Sequence, residues 1–302
     1  MAGVPCLHDL SLRQLEYVVA VADTLGFHRA AERCHVSQPT LSTQVQQLED
    51  ILGLRVFERD RRTVRLTSAG AEIVARARRV LIEVSDLIGT ATRARDPLKG
   101  TFRVGVIPTI APYLLPEVTP ALRARFPDLR LIFCEEKTED VMRDLQRGNI
   151  DVGLVALEAD IGDVESARVA HDPFVVAAPV GHPLTKKKHV TLEDLEGERV
   201  LLLDDGHCLR AQALALCEKA AAREADLRAT SLSTLVQMVS AGNGLTLLPM
   251  LAIPVENRRG QIDVRPLSPP GPGRTIGLVW RPSSPYSSAF RAVAAALEAT
   301  LV

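Results

Sequence analysis

The 302-residue sequence contains no apolar run near the roughly 20 residues that a membrane span requires. Its first residues, MAGVPCLHDL, lack the basic start, apolar core and small-residue cleavage site of a secretory signal. These two absences predict a cytoplasmic protein that has no membrane partner. Hydrophobic residues at 46% and charged residues at 24% are typical of a globular chain, here long enough for two or three domains.

Cysteine is scarce, and its spacing excludes two further classes of protein. None of the five cysteines belongs to a CxxC or mixed Cys/His pattern, so we expect no structural zinc, no other metal and no cofactor. In the expected cytoplasm five cysteines do not form a disulfide framework, and a bond that does form is more often redox-sensing. A free cysteine is most often a small buried apolar residue, and we interpret Cys34 as packing among the N-terminal helices and Cys134 as strand core. Cys6 is interpreted as part of the N-terminal tail.

The net charge of −1 conceals an uneven distribution of charge types. Residues 1–99 carry 14 Lys and Arg against 12 Asp and Glu, and 13 of those 14 cations are arginine. Arginine suits phosphate groups and base edges better than lysine does. The arginine content therefore favours a front end that binds nucleic acid.

Helical patterns over 11–24 and 27–33 are followed by a third, which predicts a helix-turn-helix. The apolar stripe of the first helix is Leu15, Val18, Val19 and Ala22. The third helix should begin at Ser37 as N-cap, accept Pro39 in its first turn and end at Gly53. Its polar face is suited to base edges in a major groove; the candidates are Ser37, Gln38, Pro39, Thr40, Ser42, Thr43 and Gln44. An ordinary helical hairpin with a solvated polar face is the alternative.

Two later features favour DNA binding over that hairpin. The segment LRVFERDRRTVRLTSAG alternates like a small β-hairpin, and the arginines near its tip are suited to phosphates: Arg59, Arg61, Arg62 and Arg65. Beyond Gly70, apolar residues repeat every 3.5 positions, as in a two-helix seam. They are Ile73, Ala77, Val80, Val84, Leu87 and Ala91. We therefore predict a winged helix-turn-helix over 11–68 and a dimerisation helix over 69–96, although a single amphipathic core helix would show the same repeat.

The stretch FHRAAERCHVSQPTLSTQVQQLEDILGLRVFERDRRTVRLTSAG resembles the N-terminal module of LysR-type transcriptional regulators. The shared elements, in order, are AA, SQPTLS, LE, LG, VFER and LTSAG. The resemblance implies an all-α winged helix-turn-helix on a long dimerising linker helix. It also implies double-stranded DNA as a partner.

From about residue 100 strands alternate with helices, which predicts an α/β domain with a mostly parallel sheet. Pro112 should open the first of these helices, and Gly148 should end the next. The pattern restarts near 171 and fits the periplasmic-binding-protein-like effector domain of LysR-type regulators, here 100–302. Its two subdomains would be about 100–170 with 276–302, and about 171–275. Ligands in such folds lie between the subdomains.

Two cysteines lie nine positions apart in DDGHCLRAQALALC, residues 204–217. If the stretch from Leu209 to Cys217 is a helix, Cys208 and Cys217 are on opposite faces and about 13 Å apart along its axis. A disulfide needs Cα atoms within about 7 Å. Either the two thiols are unrelated, or bonding them requires the helix to come apart.

Within the LysR family, the chain resembles the hydrogen peroxide sensors. The similarity is carried by IPTIAPYLLP, LLLDDGHCLRAQALALC, RATSLSTLVQMVSAGNGLTLLP and RTIGLVWRP. It implies a peroxide-reactive thiol, its disulfide partner, two pocket hydroxyls and two further pocket side chains. In that order these are Cys208, Cys217, Thr109, Thr138, His207 and Arg274.

The residue types suit that chemistry, because thiolate attacks peroxide and a free thiol is only a few per cent ionised near neutrality. His207, Arg210, Arg274 and the start of the helix are candidates for favouring the thiolate. The sulfenic acid product condenses with a second thiol. Plainer roles stay open: a loop histidine for His207, a strand-end cap for Thr109, a helix N-cap for Thr138 and a carboxylate partner for Arg274.

The expected protein is a transcription regulator and not an enzyme. Oxidation of Cys208 and a disulfide to Cys217 would rebuild 204–220, respace the DNA-binding heads and control oxidative-stress genes. The resemblance also implies a homotetramer built as a dimer of dimers, RNA polymerase as a partner, and glutaredoxin or thioredoxin as the resetting reductant. The alternatives are a LysR-type regulator switched by a small effector in the cleft at Thr109, a thiol peroxidase and a solute-binding protein.

Overall fold

The computed structural model describes residues 9–59, 63–93 and 98–301. The chain divides into two compact units, Met1–Ala91 and Thr92–Val302. No helix within the described ranges is long and apolar enough to cross a lipid bilayer.

The N-terminal unit consists of three helices, a short hairpin and a long helix. These are α1 (Leu12–Thr24), α2 (Phe27–Arg33), α3 (Gln38–Leu52), β1 (Phe57–Arg59), β2 (Val64–Leu66) and α4 (Ser68–Arg93). The hydroxyl of Ser37 accepts the backbone N–H of Thr40, and Gly53 ends α3 in the left-handed region at φ +65°. The predicted start and end of the third helix are therefore confirmed.

The buried face of α1 differs from the predicted stripe. Tyr17, Val18 and Val21 are at most 4% exposed, whereas the other predicted members are only partly buried at the edge of the same core: Leu15, Val19 and Ala22. The predicted stripe and the stripe that is buried in the structure both contain Val18. Helical spacing alone does not determine which of the two faces the core. The large ring of Tyr17 packs in the core, so the stripe that contains Tyr17 is the buried one.

The hairpin and α4 complete this unit. β1 pairs antiparallel with β2, with Phe57 opposite Leu66. Ala77 of α4 is 3% exposed, but Val80 is 43% and Leu87 is 70% exposed. The first turns of the predicted seam thus pack into the N-terminal unit, and its later positions lie on the surface.

The C-terminal unit alternates strands and helices. Its elements are β3 (Gly100–Val106), α5 (Ala111–Arg125), β4 (Leu129–Glu135), α6 (Thr138–Arg147), β5 (Val152–Ala156), β6 (Glu165–Pro179), β7 (Arg199–Leu203), α7 (Cys208–Lys219), β8 (Arg223–Ala229), α8 (Leu232–Ser240), β9 (Thr246–Pro249), α9 (Ile253–Glu256), β10 (Ile262–Pro266), β11 (Gly273–Trp280) and α10 (Ser287–Leu301). Pro112 lies in the first turn of α5 and Gly148 ends α6 in the left-handed region, as predicted.

The main sheet is mixed, so the expectation of a mostly parallel sheet was wrong. The strand order is β10-β6-β11-β5-β3-β4, with β9 also paired to β6. β3 is parallel to β4 and β5, but β11 is antiparallel to β5 and β6, as are β9 and β10 to β6. Strand β6 accounts for the antiparallel part of the sheet, because β9, β10 and β11 all pair with it in that direction.

Two apolar cores lie in the C-terminal unit. The β3 core is formed by β3, β5, β11, α5, α6 and α10, with Leu154 and Phe290 fully buried. The β7 core is formed by β7, β9, α7 and α8, with Leu201 and Val236 fully buried. Strand β6 contributes to both cores and so connects them.

Candidate functional site

Helix α7 begins at Cys208 and contains Cys217, and both thiols are free. Cys208 is partly exposed and packs against the β3 core, whereas Cys217 is 2% exposed inside the β7 core. Nine residues of α-helix separate them by about 13 Å along the axis, beyond the reach of a disulfide. The predicted helix is confirmed, and the two cysteines belong to different cores.

The environment of Cys217 keeps it protonated. Burial, together with the charges of Glu224 and Glu218, raises the pKa of its thiol to about 11. A thiol in this state is a poor nucleophile at neutral pH. Cys217 therefore cannot act as an attacking thiolate while α7 keeps this position.

Cys208 borders a cleft of about 440 Å³. Three side chains that line it hold buried polar atoms without a hydrogen-bond partner among the described residues: Thr138 Oγ1, His207 Nε2 and both amide atoms of Gln212. Buried polar groups are nearly always hydrogen-bonded in folded proteins. Their convergence beside a thiol indicates a place for a small polar ligand.

Thr138 is the first residue of α6, and the N-cap position belongs to Lys137. The interpretation of Thr138 as the helix N-cap is therefore wrong. Thr138 is 6% exposed. Because no side chain makes a capping hydrogen bond at the start of α6, the hydroxyl of Thr138 is available to a ligand in the cleft.

His207 is the N-cap residue of α7 and is 7% exposed. Burial lowers the pKa of its imidazole, as does the charge of Lys137, and Asp204 opposes the shift. The neutral ring is thus favoured at physiological pH, with one nitrogen that donates and one that accepts.

Thr109 and Arg274 form a separate cluster that does not line this cleft. The fully buried guanidinium of Arg274 donates to the hydroxyl of Thr109 at 2.7 Å and to its carbonyl at 2.8 Å. It also donates through Nε to Asp172 Oδ2 at 3.1 Å. The carboxylate interpretation of Arg274 is confirmed, and the cluster joins β6, β11 and the turn before α5.

Arg210, a candidate for favouring the thiolate, is engaged elsewhere. It donates to the carboxylates of Asp205 at 2.9 Å and Glu224 at 3.0 Å, and Arg228 reaches the same two acids. The charge of Arg210 is thereby compensated. No three His, Cys, Asp or Glu side chains in the described ranges are grouped so that they could hold a metal ion.

In the N-terminal unit, the polar face of α3 is open to solvent. Ser37, Gln38, Pro39 and Thr40 are exposed, and Ser42 and Gln44 are partly exposed. The predicted wing residues Arg61 and Arg62, and the side chain of Arg59, lie outside what the structure describes.

Sequence reasoning missed Glu49, a carboxylate on α3 that is 2% exposed. Its Oε1 accepts the backbone N–H groups of Val56 at 2.8 Å and Phe57 at 3.0 Å, where β1 begins. The available signal was its position four residues after Val45, on the buried face of α3. Glu49 fixes the root of the hairpin to the polar-faced helix.

Comparison with known proteins follows the division into two units. Residues 12–71 match the family model of the bacterial regulatory helix-turn-helix protein, lysR family, and residues 95–301 match the LysR substrate binding domain. The chain belongs to the LysR family. The predicted architecture, an N-terminal winged helix-turn-helix followed by a periplasmic-binding-protein-like α/β regulatory domain, is thereby confirmed.

Relatives of this LysR-family chain are similar over nearly its whole length. It is 43% identical over 293 residues to the DNA-binding transcriptional dual regulator OxyR of Escherichia coli (strain K12). The aligned region covers 97% of this chain and 96% of the relative. A full-length OxyR variant from Pseudomonas aeruginosa superposes with a TM-score of 0.79 at 38% identity, covering 95% and 94%. A hydrogen peroxide-bound OxyR mutant from Corynebacterium glutamicum gives 0.67 at 34% identity, covering 96% and 92%.

Proposed function

We propose that this chain is a DNA-binding transcription regulator that hydrogen peroxide switches through Cys208 and Cys217. The observation that carries the proposal is the placement of α7. One thiol borders a cleft lined by three side chains with buried polar atoms that have no hydrogen-bond partner within the described part of the chain, and the other thiol is buried in a different core. Similarity to the OxyR relatives, one of them peroxide-bound, supports the same assignment.

The chemistry takes two steps. The thiolate of Cys208 attacks one peroxide oxygen, so that an S–O bond forms, the O–O bond breaks, and the leaving hydroxide takes a proton to become water. The sulfur of Cys217 then attacks the sulfenic acid, so that an S–S bond forms, the S–O bond breaks and water leaves. We assign Thr138 and His207 to hydrogen-bond the peroxide oxygens, and the unpartnered atoms that they bring to the cleft support this. The family resemblance also assigns Thr109 and Arg274 to the pocket, although in this structure they form the separate buried cluster.

The second step supplies the switch, because the two thiols cannot meet along an intact α7. Forming the disulfide rebuilds residues 204–220 and changes the packing of the regulatory domain. The new packing respaces the DNA-binding heads. The promoters controlled in this way would be those of oxidative-stress defence, with RNA polymerase as a partner and glutaredoxin or thioredoxin resetting the thiols.

We divide the chain into a winged helix-turn-helix (11–68), a dimerisation helix (69–96) and a redox-sensing domain (100–302), assembled as a homotetramer. Support comes from α4, where Leu87 and Ile88 are 70% and 63% exposed. Replacing Leu87 with Glu should lower the mass of the particle in sedimentation velocity. The matched change Glu83→Gln, at an exposed residue of the same helix, should leave it unchanged.

A regulator switched by a small-molecule effector is the second candidate. The sequence put this effector in a cleft at Thr109, and the cleft of about 440 Å³ beside Cys208 does not include Thr109. That cleft is still far larger than hydrogen peroxide, and the family model is named for a substrate-binding domain. Under this alternative Cys208→Ser still responds to an effector in the cleft, and peroxide alone does nothing. Steady-state consumption of peroxide separates a regulator from a thiol peroxidase, which turns over many times with a reductant.

The deciding experiment is mass mapping of disulfides before and after one equivalent of peroxide, together with DNA footprinting. We expect a Cys208–Cys217 bond only after treatment. Cys134→Ser is the matched control and should behave like the parent chain. A footprint that still changes with peroxide in Cys208→Ser would refute the proposal.

A further inference from the structure

Lys137 occupies the N-cap of α6, where helix energetics do not favour it. N-cap positions prefer Ser, Thr, Asp or Asn, and the positive end of the helix dipole repels a cation. The two acidic residues of the first turn, Glu139 and Asp140, do match the dipole. The reason for a lysine here must therefore lie outside α6.

The side chain of Lys137 connects a helix of the β3 core to the loop that precedes α7. Helix α6 packs into the β3 core, yet Nζ of Lys137 donates to the carbonyl oxygen of Asp205 at 2.7 Å, in the loop between β7 and α7. The side chain passes over Gly206, where an added Cβ would lie 3.0 Å from Cδ of Lys137. Gly206 has φ +85°, a conformation that suits glycine.

The charges around the loop explain why Lys137 donates to the carbonyl oxygen of Asp205 and not to its carboxylate. The carboxylate of Asp205 already accepts Arg210 and Arg228. The ammonium of Lys137 remains close enough to His207 to oppose protonation of the imidazole. One side chain thus holds the loop at Asp205, packs on Gly206 and acts on His207.

We infer that Lys137 is a positioning residue that latches the loop 204–207 and the start of α7 in the reduced arrangement, and that the latch must open before Cys208 can reach Cys217. The inference rests on the proposed disulfide switch, which it deepens. Rebuilding 204–220 moves the carbonyl of Asp205 away from α6, so the disulfide-bonded state loses this hydrogen bond.

The first test measures the latch without redox chemistry. In full-length chain carrying Cys208→Ser, hydrogen exchange of amides 205–212 should be about fivefold faster in Lys137→Met, the effect of one net hydrogen bond. Lys188→Met, at an exposed lysine in the same unit, is the matched control and should not change it. Lys137→Arg, which keeps the charge, should restore part of the protection. Unchanged exchange in Lys137→Met would overturn the inference.

The second test asks whether the latch governs the switch. In glutathione redox buffers, Lys137→Met with both thiols present should shift the Cys208–Cys217 equilibrium about fivefold toward the disulfide. Faster exchange without any such disulfide would refute the proposed function and leave the latch standing. Faster exchange with an unshifted equilibrium would show that the latch does not control oxidation and would overturn that part of the inference.

Discussion

The buried ion pair between Arg274 and Asp172 predicts a large loss of stability for Asp172→Asn. Arg274 is 0% exposed and Asp172 is 4% exposed, with Nη2 and Oδ2 at 3.0 Å. Asparagine keeps the shape but leaves the guanidinium buried without a counter-charge. Removing one member of such a pair costs about 3–5 kcal/mol, which lowers Tm by about 6–20 °C for a unit of roughly 200 residues.

Calorimetry of the full chain, following the transition of the C-terminal unit, measures this loss. The matched control is Asp128→Asn, because Asp128 pairs with Lys99 at the surface, with side chains 65% and 64% exposed; it should cost less than about 1 kcal/mol. The double variant Asp172→Leu with Arg274→Met should be more stable than Asp172→Asn, since no buried charge is left unpaired. A loss below about 1 kcal/mol for Asp172→Asn would refute the reasoning.

Three further predictions concern buried residues. The raised pKa of Cys217 contributes stability below about pH 9 that is lost as the pH rises toward 11. Its contribution to the free energy of unfolding should fall by about 2 kcal/mol over this range. In denaturant titrations Cys217→Ala should remove this part of the pH dependence and leave the part that comes from the raised pKa of Tyr113. Glu49→Ala should lower the free energy of unfolding by about 2–4 kcal/mol, because two backbone N–H groups lose their acceptor. Glu49→Gln keeps one acceptor oxygen and should lower it less, which thermal melts of both variants would measure. Gly70→Ala should destabilise the N-terminal unit by about 3 kcal/mol, because its Cβ would lie 2.0 Å from the carbonyl oxygen of Val56. The control Gly53→Ala strains the backbone in the left-handed region but meets no neighbouring atom within 4 Å, so it should cost only about 1–2 kcal/mol.

Features set by neighbouring residues were predictable from the sequence. Ser37, Pro39 and Gly53 determine where α3 begins and ends through local hydrogen bonds and backbone angles. The helix that carries Cys208 and Cys217 was predicted from its Ala- and Leu-rich sequence. Family resemblance added the roles of the thiols, which spacing alone left open.

Contacts between distant parts of the chain were not predictable. Arg274 meets Asp172 across 102 positions, and Lys137 meets Asp205 across 68; no local pattern encodes such pairs. The mixed sheet was missed because strand polarity depends on which strands become neighbours. Gln212 was missed because its helical position gives no sign that its amide is buried without a partner.

The packing of α7 indicates which of its ends opens when the disulfide forms. The face of α7 in the β7 core is Leu209, Ala213, Leu216 and Cys217. Opening the first turn at Cys208 exposes Leu209, at a cost of about 1.5–3 kcal/mol, and gives up the hydrogen bonds that Lys137 and Arg210 make to Asp205. Opening the helix at Cys217 exposes Leu216 and Cys217 together and disturbs Ala220, which is 4% exposed in the same core. The end at Cys208 therefore loses less apolar burial when it unwinds, and it is also the end that borders the cleft.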